Sequence, residues 1–419
     1  MRFLNEAQIG LIRERFGTPV YVYDQATLEA AADEVLAFPA PCRLVGRFAM
    51  KACPTAAVLH ILSARGLHID ASSGFEAERA LHAGIAAERI QITAQEIPKD
   101  LKGLVQRGVL YNACSLHQLR AFGELCPGRE LSIRANPGLG SGHNNRTNTG
   151  GPSTSFGIWH ERLEEALAIA QEFGLTLSGL HTHIGSGGDP DVWKRCAEMT
   201  VDIATRLPDL NRLSLGGGFK VARMPEETSA DLQTIGAALR PTLETFIGAR
   251  KDFQLEIEPG TFLVANAGAI LAEIIDVVDT HSATGAGSDG HTFLKIDSGM
   301  TELLRPSVYG AQHPLTVVAH GHPAASEETD YLVAGHCCES GDILTPAPGD
   351  PEGLAPRRLA RAEIGDTLVI EGAGAYASGM AAKNYNAFPE AAEVLIDADG
   401  EARLVRRRQT LGQMLQNEL

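Results

Sequence analysis

The chain has 419 residues, of which 44% are hydrophobic, and a formal net charge of -16 at pH 7. Such a length exceeds what one hydrophobic core usually serves, so two domains are expected. The acidic balance argues against general polyanion binding, and no apolar run reaches membrane-spanning length, so neither nucleic acid nor a membrane is an expected partner.

The opening segment MRFLNEAQIG lacks the basic and apolar regions of a secretory signal. Seven scattered cysteines (Cys42, Cys53, Cys114, Cys126, Cys196, Cys337 and Cys338) show no CxxC spacing, which fits a reduced, cytoplasmic location better than a disulfide framework or a metal site. Residues 1–24 precede the first regular alternation, and one reading packs them on a later domain.

From residue 25 to about 265, short apolar runs alternate with amphipathic stretches. Strands are expected at residues 43–50, 67–71, 90–94, 109–112, 129–135, 176–183, 212–216 and 253–257. Between them TAAVLHILSARG, GFEAERALHAG and ERLEEALAIAQEFG carry apolar residues at helical spacing and stop at glycine. Eight strands separated by helices predict an α/β fold, a parallel (β/α)8 barrel, in which chemistry gathers where the strands end.

Those ends carry RFAMKAC, IDASSG, LHTHIGSGG, LSLGGGF and LEIEPG. Lys51 alone would be read as readily as a snorkelling surface lysine. Beside the other clusters, an amine able to form a Schiff base with an aldehyde cofactor is the better reading. His181 and His183 share a face of a regular strand; they fit a packed pair, or half of a metal site that has no evident third ligand, and the strand could end between them. Glycines at 216–218 and in HIGSGG and EPG would let backbone amides approach a phosphate, although a lone glycine triplet is by default a turn. Glu258 is either solvated or the carboxylate that keeps a pyridine nitrogen protonated.

Beyond residue 265 the texture changes. AILAEIIDVVDT, HTFLKIDSG, LTVVAHG, YLVAGH and DTLVIEG are strand-like and bounded by glycine, aspartate or proline. The expectation is a barrel at 25–265 and a mostly-β domain built from 1–24 and 266–419, with the run near residue 270 alternatively beginning as barrel helix. In HCCESGD the two adjacent cysteines are unlike in direction, since neighbouring side chains do not share a face.

The segments VYVYD, RFAMKAC, HIDASS, NPGLGSGHNNRTNTGG, GIW, HTHIGSG, GGG, EIEPG, LRPSVYGAQH, CESGD, GAYASGM, NYN and RLVRRRQT together resemble diaminopimelate decarboxylase over nearly the whole chain. That family is alanine racemase-like and uses pyridoxal 5'-phosphate. The resemblance implies that Lys51 carries the cofactor, His183 stacks on its ring, Asp70 lies behind the ring and Glu258 pairs with the pyridine nitrogen. It implies that Ser186, Gly216, Gly217, Gly218 and Gly260 surround the phosphate, with a further contact from Tyr376. Arg305 and Tyr309 would hold the carboxylate that the product retains. Cys338 and Glu339 would enter from the partner of a homodimer, the first near the reacting centre and the second near the distal amine. The reaction implied is decarboxylation of meso-2,6-diaminoheptanedioate at its D-centre to L-lysine and CO2, the last step of lysine biosynthesis.

One position departs from the family pattern: relatives read EPGR where this chain has Thr261, which cannot copy a bidentate guanidinium. Arg146 is a candidate source of the missing charge. The closest rival is a sister decarboxylase acting on ornithine, lysine, arginine or another basic amino acid. A racemase would need a tyrosine opposing the lysine, and an idle cofactor-binding regulator would not need the substrate-side residues.

Overall fold

The computed structural model describes residues 1–139, 150–183, 187–248, 250, 252–281 and 290–419. It divides into two compact units, one of Glu29–Val221 with Thr228–Leu263, the other of Met1–Leu28, Ala222–Glu227 and Val264–Leu419.

In the first unit, strands Arg43–Ala49, His68–Ala71, Ile90–Thr93 and Leu110–Ala113 are followed by Glu130–Asn136, Thr176–His181, Arg212–Ser214 and Gln254–Ile257. Each pairs in parallel with the next, and the last returns to the first through Gln254↔Arg43 to Ile257↔Gly46, closing an eight-stranded barrel. All eight strands expected from the sequence are present, because strands covered on both faces must be apolar nearly throughout.

The helical segments follow the same logic. TAAVLHILSARG forms Ala56–Ala64, and ERLEEALAIAQEFG forms Leu163–Phe173, stopped by Gly174 at φ 63°, a left-handed conformation that glycine adopts freely. Two of the turns from strand to helix are built alike. Ser73 accepts from the Glu76 amide at 3.0 Å while the Glu76 carboxylate accepts from the Ser72 amide at 2.6 Å. Likewise Ser115 accepts from the Gln118 amide at 3.1 Å, and the Gln118 side chain accepts from the Cys114 amide at 2.6 Å. Such caps are each worth about 1 kcal/mol and keep the loops on this face short, so that residues such as Asp70 stay on a strand end.

Inside the barrel the Arg47 guanidinium donates to both oxygens of Glu256, at 2.9 and 2.8 Å, with both side chains almost wholly buried. Glu256 and Glu258 are two residues apart and so lie on the same side of the chain. The ion pair therefore forms a charged layer beneath the mouth of the barrel.

The second unit centres on a nine-stranded sheet. Its N-terminal strand, Val20–Asp24, runs antiparallel to Gly268–Asp279 and parallel to Ala392–Ile396. Helix Glu6–Phe16 begins with a capping box between Asn5 and Gln8 and buries Ile9 and Ile12 with Val20, Val22, Leu271 and Val394. The run near residue 270 divides sharply. A short helix at Thr261–Val264 and a 3-10 turn at Ala265–Ala267 precede the strand, so the helical alternative ends before Gly268. The excursion Ala222–Glu227 is held in this unit by Asn266, whose amide donates to the Ala222 carbonyl at 3.0 Å, and by Arg223, whose Nε donates to the Gly372 carbonyl at 3.0 Å. Among the described residues no helix is long and apolar enough to cross a membrane.

Candidate active site

The C-terminal ends of the barrel strands bring together Asp70, His181, His183, Ser214 and Glu258. Glu258 is 7% exposed and receives a hydrogen bond from the Ser214 hydroxyl at 2.8 Å. His181 Nε2 lies 3.0 Å from its other oxygen. Burial alone would raise the Glu258 pKa; the His181 and His183 rings and the Ser214 hydroxyl outweigh it and lower the pKa. Asp70 goes the other way. Its burial and the nearby Glu258 charge push it well above the usual carboxylate range, against the opposing pull of Lys51 and the Thr93 hydroxyl. The two carboxyls share one buried region, and it is Glu258 that keeps its charge.

The strand ends at His181, yet both histidines belong to the site, their rings 6.3 Å apart at an interplanar angle of 22°. His183 Nδ1 accepts a hydrogen bond from the Gly217 amide at 3.1 Å. Burial, with the positive charges of Arg134 and Lys51, holds its pKa well below the ordinary value, so the ring is neutral and carries its proton on Nε2. Among the described residues no group of three histidine, cysteine or acidic side chains could hold a metal.

The glycine triplet packs against the Glu258 backbone. Ser214 Oγ also accepts from the Gly216 amide at 3.2 Å, and the Gly216 carbonyl accepts from the Glu258 amide at 2.8 Å. A Cβ on Gly217 would stand 2.0 Å from the Glu258 carbonyl oxygen, and one on Gly216, at φ +70°, would strike the His183 ring and the Thr182 carbonyl. Gly218 has φ +105° and its carbonyl accepts from the Gly187 amide at 2.8 Å. At Gly260 a Cβ would press on Ala49 and Ala52, the residues flanking the lysine turn. A side chain at Gly216 or Gly217 would thus displace His183, Thr182 or Glu258. Ser186 and Arg146 lie outside the described residues.

Lys51 follows the first barrel strand in the turn Met50–Ala52, which buries Met50 and Ala52 and leaves the lysine exposed. Its charge acts on Asp70, Glu76 and His183, placing the amine with the residues above. Arg134 was not visible from sequence as a site residue. It sits mid-strand, 7% exposed, with its guanidinium 4.9 Å from the Phe156 ring and Nη2 unpartnered. A lone basic residue within an apolar run was the signal, and the charge felt by His183, Glu258 and Cys114 is the reason for it.

The remaining candidates belong to the second unit. Arg305 opens the short helix Arg305–Tyr309 and its Nη1 lies 3.0 Å from His313 Nε2. Tyr309 and Tyr376 are the aromatic hydroxyls whose fields act on it. Tyr376 has φ 55°, an uncommon conformation for a non-glycine residue and one that clusters at functional sites. In HCCESGD, Cys337 is buried and Cys338 exposed. Burial and the neighbouring Asp342 push the Cys337 thiol up to about 12. The turn is pinned by Asp342, which accepts from the Met300 amide at 2.7 Å and the Cys337 amide at 3.0 Å, and by Asn386, which accepts from the Cys338 amide at 2.8 Å. Glu339 is exposed and one of its oxygens accepts from the Gly341 amide at 3.1 Å.

A buried ionised carboxylate, a neutral stacking imidazole, glycines that admit no side chain and a lysine within reach of their fields suit pyridoxal phosphate. They define the chain as a barrel enzyme of the pyridoxal-dependent decarboxylase class. Residues 27–265 match the model of the pyridoxal-dependent decarboxylase pyridoxal binding domain. The chain is 39% identical over 413 residues to the diaminopimelate decarboxylase of Streptomyces coelicolor, covering 96% of this chain and 90% of that one. It is similar to a crystal structure of diaminopimelate decarboxylase at 33% identity and TM-score 0.90, covering 99% and 97% of the two chains. It is also similar to the diaminopimelate decarboxylase from Helicobacter pylori complexed with L-lysine, at 25% identity and TM-score 0.86 over 97% and 98%. The chain belongs to the diaminopimelate decarboxylase family.

Proposed function

We propose that the protein decarboxylates meso-2,6-diaminoheptanedioate to L-lysine and CO2, the last step of lysine biosynthesis. The observation that carries the substrate is the Arg305, Tyr309 and Tyr376 group, a cation with two phenols suited to a second amino-acid end that a simple basic amino acid lacks.

Pyridoxal phosphate, when bound, supplies the electron sink for the pair left by the departing carboxylate. Lys51 would hold it covalently, and the loops at Gly216, Gly217, Gly218 and Gly260, together with Ser186, would surround its phosphate. Glu258 stays ionised and would hold a proton on the pyridine nitrogen; Ser214 and His181 maintain that charge. Neutral His183 offers a flat face without adding positive charge. Asp70, uncharged, would lie behind the ring. Arg305, Tyr309 and Tyr376 hold the carboxylate that is kept, so that the other is the one released. Cys338 delivers the proton that replaces the lost carboxylate, and Glu339 binds the distal amine.

The exposure of Cys338 and Glu339 on a pinned turn supports a homodimer in which each subunit lends these two residues to its partner, working in the reduced cytoplasm where its seven free thiols persist. Turnover of the meso diacid, measured against lysine, ornithine and arginine by CO2 release, tests the substrate; faster turnover of any of the three overturns it. Sedimentation of an active monomer would overturn the exchange of Cys338 and Glu339.

A further inference from the structure

The second unit holds another buried arginine that none of the roles above uses. Arg223, in the excursion Ala222–Glu227, is 8% exposed. Its Nε donates to the Gly372 carbonyl at 3.0 Å, while its buried Nη2 has no hydrogen-bond partner among the described residues. The chain is shaped around this side chain. Gly372 has φ +65°, and a Cβ there would come 3.0 Å from the Arg223 Cγ and 3.1 Å from its Cδ. The backbone is held at both polar groups: the Arg223 amide donates to Glu227 Oε2 at 2.7 Å, and the Arg223 carbonyl accepts from the Arg2 guanidinium.

The Arg305 charge acts on Arg223, and Tyr376 acts on both arginines. His313 brings no negative charge to them. Its Nδ1 donates to the Glu371 carbonyl at 2.9 Å, which leaves Nε2 as a neutral acceptor for Arg305. Glu227 is the carboxylate common to both arginines, and its Oε2 already accepts from the Arg223 and Met224 amides. Two guanidiniums desolvated together need more negative charge than this, and one presents a donor with nothing to bind. The anion that the proposed reaction brings is the carboxylate the product retains.

We propose that Arg223 is a specificity-determining residue that binds the retained carboxylate together with Arg305. This assignment rests on the substrate reading above. It is tested with the holoenzyme and the variants Arg223→Gln and Arg223→Lys, using L-lysine, which keeps the carboxylate, and cadaverine, which has none, as competitive inhibitors. Cofactor occupancy is followed by visible absorbance. Losing a charge-assisted bond should raise the inhibition constant of L-lysine roughly 10- to 100-fold in Arg223→Gln, with cadaverine and the cofactor band unchanged. Arg223→Lys should fall between, because an ammonium keeps the charge without the fork. An unchanged lysine constant, or equal weakening of lysine and cadaverine, overturns the assignment. Wild-type enzyme that fails to decarboxylate the meso diacid overturns the substrate reading instead, and the lysine-to-cadaverine contrast still judges Arg223.

Discussion

The Arg47–Glu256 pair offers the sharpest energetic test of the barrel. Arg47→Met removes a guanidinium that donates to both Glu256 oxygens and leaves that carboxylate 2% exposed with no bidentate partner. Breaking one side of a buried pair typically costs about 3–5 kcal/mol, mostly as the penalty on the stranded charge. Removing both charges in Arg47→Met/Glu256→Leu should recover most of that loss, for a coupling of at least about 2 kcal/mol. Burial would raise the Glu256 pKa, but Arg47 reverses the balance and lowers it. The wild-type contribution is therefore present above the ordinary carboxylate range and lost as pH falls through the lowered pKa. In Arg47→Met burial goes unopposed by Arg47 and the sign inverts, so the deficit should shrink at acid pH, where Glu256 takes up a proton. Denaturant unfolding of the four proteins of the cycle, at fixed protein and cofactor concentration and at pH 5 and 8, measures this. A single-mutant cost below about 1 kcal/mol, or additive costs in the double variant, would refute the reasoning.

Two further outcomes are expected. Glu258→Gln should leave folding and cofactor loading intact but lower kcat roughly 10- to 100-fold, the worth of a charge-assisted bond of about 1.5–3 kcal/mol; unchanged steady-state turnover would contradict the role given to this carboxylate. Burial pushes Glu302 up to about 7, and although Ser298 and Thr301 donate to one oxygen, the other is unpartnered. Its folded pKa exceeds the unfolded one, so the native state holds an extra proton between about pH 4.5 and 7 and loses up to about 3 kcal/mol as pH rises through that window. Glu302→Gln should flatten that part of the profile, and parallel stability curves for the two proteins would count against it.

The barrel was legible because its strands had to be apolar on both faces, and because glycine and capping residues mark where each one stops. The N-terminal strand was less so. VYVYD is short, and its partners lie near residues 270 and 394, a pairing that no local pattern encodes. In the site, Lys51, His183, Glu258 and the glycines are adjacent in sequence to strand ends, which is why they stood out. Arg134 and Arg223 did not. Each is a single basic residue in an unremarkable stretch, and its importance depends on burial and on neighbours far along the chain. His181 showed the same limit: sequence placed it beside His183 without indicating that a carboxylate 77 positions later would set its function.

The order of pairing in the second unit also bears on how the protein is made. Val20–Asp24 leaves the ribosome long before its parallel partner Ala392–Ile396. At about 5–20 residues per second, the strand waits on the order of 20 to 70 seconds for that neighbour. Until then one edge of this strand lacks its partner, so nascent-chain holding by chaperones is expected to matter more for it than for the barrel, where every pairing but the closing one joins successive barrel strands.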